Sequence, residues 1–380
     1  MPFFLTLRCS ARSVEPRRAR PQRLGLHPSR PALRAGTSGW RPLHESVSVI
    51  LLVRFEGGFS MSQRRLGQLG WIDGSLARRR ERRRDALAEI NRLVDWAPFE
   101  RLLSGMYRAA KGEAPYPPLV MFKVLLLQRW YGLSDEQMEA ALFDRISFLS
   151  FAGFSMEDDT PDHSTIWRFR ERLLDGLIER LFAELSRQLD GRGVTVRQGT
   201  LIDATLITSA ARRPRMDEDK VSPTDPDARF GANNERGRFS FGYKAHIAVD
   251  AGSTTINTWK LTPANVQEVT VAPDLLPQTG EVFADRGFDA ANLHAELAGR
   301  GLTDSIMRRG HKHQPLSAAQ IARNHELSLQ RRPVEAVFGT LKRSYGFHRM
   351  RYFNRLRNAA AFGLACMAFN LKRWNAMATP

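Results

Sequence analysis

The chain has 380 residues, 42% of them hydrophobic, with 57 Lys and Arg against 40 Asp and Glu, a formal charge of +17. That length allows two domains and a sizeable core, and the charge favours a polyanionic partner, nucleic acid ahead of an anionic membrane surface. Cys9 and Cys366 exclude a disulfide framework or zinc knuckle and suit a reducing cytosol; no run reaches the roughly 18 apolar residues of a membrane span, and no Lys or Arg precedes the short apolar stretch at 3–7.

Residues 1–60 hold ten Arg, no Lys, six Pro and three acids, a composition that cannot bury a core and predicts disorder. They read as a basic arm or as translated upstream sequence ahead of a start at Met61, and we favour the second. Without them 47 basic residues still face 37 acidic ones, a charge of +10. Six Arg in the seven positions 78–84 could neutralise phosphates or simply solvate a helix face. A helix follows through Ala86, Leu87, Ile90 and Leu93.

Residues 118–131 predict an apolar helix ended by Gly132. Ser134 and Gln137 form a capping box for the next helix. Asp162 caps a third, on which Ile166, Phe169 and Leu173 face inward and Ser164, Thr165, Arg168 and Arg172 face outward. That polar, basic end suits a helix-turn-helix reader of the major groove, and it equally suits a plain amphipathic helix. A helix over 177–189, closed by Gly191 to Gly193, marks a domain boundary near 190.

Beyond it the pattern turns to strands. Thr200-Leu201-Ile202-Asp203-Ala204-Thr205-Leu206-Ile207 is apolar and β-branched with an acid in its middle. A lone buried carboxylate must be paired, protonated or metal-bound. A long polar stretch at 212–238 reads as a functional or disordered loop. Two strands at 241–249 and 255–261 make a hairpin. Asn265 with Glu268 is expected to cap a helix carrying Val266, Val269 and Ala272. A strand at 281–284 delivers Asp285, Asp289 is expected to cap a helix running to Gly299, and 303–307 gives a fifth strand. His311 and His313 lie in a basic loop, where solvation explains them better than a metal. Between Arg331 and Arg357 stand eight Lys or Arg and one acid, Glu335. Pro333 starts a helix on which Val334, Phe338 and Leu341 form an apolar stripe, and Glu335, Gly339 and Lys342 share another face. An apolar helix at 357–374 should pack on the sheet.

The order of strands and helices from Asp203 to Glu335 matches the RNase H-like fold. The chain resembles the bacterial insertion-sequence DDE transposases, and within them the "insertion sequence 5" family, over about residues 90–374. The residues that carry this are Pro161-Asp162-His163-Ser164-Thr165 with Arg168-Phe169-Arg170, Leu201-Ile202-Asp203-Ala204-Thr205, Asp225-Pro226-Asp227-Ala228-Arg229 with Phe241-Gly242-Tyr243-Lys244-Ala245-His246, Ala284-Asp285-Arg286-Gly287-Phe288, and Arg331-x3-Glu335-x6-Lys342. The fuller signature has Tyr three residues before the Arg; this chain has Ser328 there.

Behind the 1–60 stretch that composition predicts to be disordered, the resemblance implies an α/β chain: a helical DNA-binding domain over 61–190, and an RNase H-like domain over 191–380 with a mixed five-stranded sheet. It implies Asp203, Asp285 and Glu335 as catalytic ligands of two Mg²⁺ or Mn²⁺ ions. Arg331 and Lys342 would hold DNA phosphate, and Ser164, Thr165 and Arg168 would read terminal inverted repeats. It implies a bacterial, nucleoid-associated homodimer on double-stranded DNA that frees 3′ ends and transfers them to a target. No nucleotide cofactor or membrane is implied, and no Gly-rich phosphate loop ending in Lys-Ser/Thr is present. The alternatives are an RNase H-like nuclease using the same acids, and an inactive remnant that only binds DNA.

Overall fold

The computed structural model describes residues 66–378 apart from 69, 71–73, 75–84, 108–113, 175, 216–220 and 233–238. The arginine run at 78–84 and everything expected of 1–60 lie outside the described residues.

The first half is helical. Helices α1 (Ala86–Leu93), α2 (Ala97–Leu103), α3 (Pro118–Tyr131), α4 (Asp135–Asp144), α5 (Ile146–Ala152), α6 (His163–Glu171) and α7 (Leu177–Gly191) follow one another. Each boundary has a chemical cause. Pro at the first turn opens α3, and Gly132 closes it at φ +67°, a conformation a side chain would strain. Ser134 and Gln137 cap α4 reciprocally. The Asp162 carboxylate accepts from the Thr165 amide at the start of α6.

The second half carries β1 (Thr200–Thr208), β2 (Arg229–Ala232), β3 (Phe239–Asp250), β4 (Ile256–Pro263), α8 (Glu268–Val271), β5 (Glu281–Ala284), α9 (Ala291–Gly299), β6 (Thr303–Ile306), α10 (Ala318–Gln330), α11 (Arg332–Ser344) and α12 (Arg355–Ala378). The sheet runs β2-β3-β1-β5-β6, with β4 also paired to β3. β1 is antiparallel to β3 and parallel to β5, and β5 is parallel to β6. This is an α/β, RNase H-like arrangement behind a helical N-terminal region.

The sheet has six strands rather than the five expected. The extra one, β2, lies inside the polar stretch that reads as loop. It is four residues long and held at the edge by pairing with β3 and by Phe230 against Phe241. Two expected caps also differ. Gln267, not Asn265, precedes α8, and it makes no side-chain cap. Asp289 does not cap α9; its oxygens go to His294, Arg308 and the Arg309 amide.

The larger core cluster joins the helices, α12 and one face of the sheet; the smaller one lies on the other face around Ile202, Phe288, Leu293, Leu297 and Ile306. α12 packs on β4, α3 and α7. Trp130 Nε1 donates to the Ala368 carbonyl at 2.6 Å, and Arg357 pairs with Glu171 at 2.8 Å. No helix among the described residues is long and apolar enough to cross a membrane.

Candidate functional site

β1 places Asp203 by strand alternation. Residues 201, 203, 205 and 207 share a face, so Asp203 and Thr205 look toward the side that α11 crosses. β5 pairs Val282 with Thr200 and Phe283 with Leu201. Carried two residues further, that register directs Asp285 toward Asp203, near enough for its charge to raise the Asp203 pKa. Asp285 leaves β5 into a short 3₁₀ turn, its Oδ1 accepting from the Gly287 amide at 2.8 Å. Glu335 comes from the first turn of α11 and is exposed. All three acids line one polar cleft of about 850 Å³.

The cleft holds more charge than these three. Glu268, from α8, lines it with Lys244, Arg286, Arg309 and Arg331. Lys244 Nζ lies 3.3 Å from Glu268 and donates to the Val266 carbonyl at 3.0 Å. Burial raises the Glu268 pKa; Lys244 opposes this and Asp285 adds to it. Burial pushes Asp203 up to about 7, against the pull of Arg331 and the Ala204 amide and with a further push from Asp285 and Glu268.

The basic residues divide by depth. Arg331 is buried, 3.5 Å from Asp203, and its Nε has no hydrogen-bond partner among the described residues. It lines the cleft and stands beside Asp203 as a counter-ion. Lys342 donates to Thr205 Oγ1 at 2.5 Å; burial lowers its pKa and Asp203 raises it. Arg286 and Arg309 are exposed.

The donor chemistry fits a hard divalent cation, since every acid in the cleft offers oxygen. Gly287 adds a geometric sign. A Cβ there would fall 2.8 Å from Asp285 Oδ1 and 2.9 Å from Glu268 Oε2, so its absence leaves a small space edged by two carboxylates. The expected cage is not ready-made, however: among the described residues no three Asp, Glu, His or Cys side chains stand close enough to hold an ion. Carboxylates at chelating distance repel one another, and Asp203 has Arg331 as its nearest cation.

The other residues expected to bind DNA lie on α6, apart from the cleft lining. Arg168 donates to the Ser164 hydroxyl at 2.8 Å, the Ser164 carbonyl at 3.2 Å and the Thr165 hydroxyl at 3.2 Å. Ser164 in turn bonds Asp162. His311 and His313 are exposed on the surface.

Sequence reasoning misses Glu268 and Lys244 as members of the site. The spacing of Glu268 from Asn265 offers it a helix-capping role and no other. A signal for Lys244 exists: it is a cation in mid-strand between buried Tyr243 and Ala245.

Comparisons with known proteins agree with the order of these parts. The family described as "Transposase domain (DUF772)" matches residues 75–172, and "Transposase DDE domain" matches 194–371. Neither match singles out the insertion sequence 5 family. Among solved structures, a piggyBac transposase synaptic complex with hairpin DNA aligns at TM-score 0.41 and 12% identity, over 79% of this chain and 77% of that one. A pre-cleavage Mos1 transpososome aligns at 0.17 and 9%, over 68% and 97%. A Mos1 paired-end complex aligns at 0.17 and 10%, over 67% and 86%.

Proposed function

By its two matched domains the chain belongs to the DDE transposases, and on that premise we propose that it binds its element's terminal inverted repeats, frees their 3′ ends and joins them to target DNA. The observation that supports this reading is that Asp203, Asp285 and Glu335, far apart in sequence, line one cleft edged by cations.

Asp203, Asp285 and Glu335 would hold two Mg²⁺ or Mn²⁺ ions, whose Lewis acidity would serve the attacking and leaving oxygens of a phosphodiester. Arg331 favours the ionised form of Asp203, the form an oxygen ligand needs. Lys342, tethered to Thr205 two residues from Asp203, would hold the phosphate in place. Arg331, on the cleft wall beside Asp203, would hold phosphate there as well. Ser164, Thr165 and Arg168 would read the ends, and their mutual hydrogen bonds keep Arg168 in one orientation before DNA arrives. Joining two ends calls for two copies of the chain.

The test incubates the chain with Mg²⁺ and duplexes carrying the inverted repeats that flank its own gene. Nicking at the element ends is expected. Asp203→Ala, Asp285→Ala and Glu335→Ala should each abolish nicking and leave DNA binding intact. Normal nicking by any of the three would remove that residue from the site.

A further inference from the structure

After β6 the chain makes a basic turn that the catalytic reading does not use. It reads Arg308-Arg309-Gly310-His311-Lys312-His313-Gln314, and no acid occurs between Asp304 and Glu326. Residues 309–314 are all exposed. The turn is closed on itself: the His311 amide donates to the Gln314 carbonyl at 3.0 Å and the Gln314 amide to the His311 carbonyl at 3.1 Å.

Its base is bolted down. The Arg308 amide donates to Asn324 Oδ1, and Asn324 Nδ2 donates back to the Arg308 carbonyl, both at 2.9 Å. Asn324 itself is buried. The Arg309 amide donates to Asp289 at 2.6 Å, and the Arg308 guanidinium reaches Asp289 and Asp304 at 3.2 and 2.8 Å. His294 bridges the same two carboxylates at 2.8 Å on each side. A turn that only solvated the surface would not need both residues of its base fixed.

The anchoring settles where the cations stand. Arg309 lines the acid cleft together with Glu335 and Arg286. Lys312 lies three residues on, at the tip. The local acids Asp289 and Asp304 are taken up by Arg308 and His294. Arg309 faces Glu268 across the cleft, whose pKa it lowers, without closing to an ion pair among the described residues, and Lys312 makes none there either.

We propose that the turn from Arg309 to His313 is a DNA-backbone contact at the mouth of the cleft, seating phosphates next to the one that is cut. This rests on the proposed function for its DNA substrate, and it adds residues that function does not name. Its cations contribute by charge and position, without reading bases.

The test measures the dissociation constant of the full chain for a double-stranded oligonucleotide across a KCl series, beside the nicking rate at saturating DNA. Removing a cation that neutralises one phosphate should reduce the slope of log K against log salt by roughly 0.9. Arg309→Ala with Lys312→Ala should flatten the slope by one to two such steps, weaken binding several-fold at low salt and slow nicking. Arg309→Lys with Lys312→Arg should keep the wild-type slope. A double-alanine chain with the wild-type slope would overturn the proposal. The catalytic reading fails separately, through an Asp203→Ala chain that still nicks, because that variant leaves the salt-slope comparison unaffected.

Discussion

Asp203 on β1 and His246 on β3 lie on opposite faces of one ladder, His246 facing Ala204, and burial drives both toward their neutral forms. Asp203 moves up to about 7 and His246 down to about 3. The His246 ring is fully buried; its Nε2 meets Thr262 Oγ1 at 2.9 Å, and its Nδ1 has no partner among the described residues. A second ring proton would therefore leave one N–H without an acceptor, with Lys244 and Lys260 adding repulsion. The consequence for stability has a definite sign. With a folded pKa below the unfolded 6.5, the unfolded chain binds the extra proton first. His246 thus leaves stability intact above pH 6.5 and removes it as pH falls from 6.5 toward 3, by about 1.4 kcal/mol per unit at most. Between pH 6.5 and 5 the loss comes to about 1.6 kcal/mol, since the unfolded ring is already half protonated at 6.5. Denaturant melts of wild type and His246→Gln across that window should show a steeper acid loss in wild type. Parallel curves would mean that the ring accepts its second proton in the fold.

Elements are legible in the sequence where a local chemical rule sets them, and less so where tertiary contact does. The run around Asp203, the Ser134–Gln137 box and the strand delivering Asp285 follow from residue type and spacing alone. β2 does not, because four residues at an edge acquire strand geometry only by pairing with β3. Glu268 is visible as a helix-start acid and not as a cleft acid, since the turn of α8 toward Asp285 is set by the fold. Two helical glycines carry the same distinction into energetics. A Cβ on Gly363 of α12 would fall 2.4 Å from Trp259 Cζ2, and Trp259 is wedged by Phe182 and Phe362. On Gly339 of α11 the nearest atom is the mobile end of Arg343, 3.3 Å away. Alanine in a helix is worth up to about 1 kcal/mol over glycine, while overpacking a core costs about 1–3 kcal/mol. Gly339→Ala should raise the melting temperature and Gly363→Ala should lower it by a few degrees. If both rise in a thermal melt, α12 and β4 have room that this packing denies.

At the scale of the whole molecule, the last helix decides how separable the two halves are. A sequence reading places a boundary near 190, where helical periodicity gives way to strands. It cannot see that α12, at the far end of the chain, inserts its apolar surface between β4 on one side and α3 and α7 on the other. Leu364, Cys366, Met367 and Leu371 are all buried, in one cluster with Leu125, Trp130 and Leu185. Polar ties run the same way: Arg129 donates to the Tyr352 hydroxyl at 2.8 Å, and Arg351 reaches the carbonyls of Gly132 and Leu133 at 3.0 and 3.1 Å. Cutting the chain at 194 would uncover the α3- and α7-facing side of α12, a continuous apolar patch of the kind that drives aggregation. The acids of the cleft would all remain in that fragment, so the sequence alone would forecast a competent catalytic domain. The packing forecasts a fragment 194–380 that aggregates on size-exclusion chromatography and lacks a cooperative melt. Adding residues 85–193 as a separate chain should recover solubility, because the missing surface is restored without a covalent link. A monomeric, cooperatively melting 194–380 would show that the helical half shields α12 without stabilising it, and that the boundary near 190 is a true domain border.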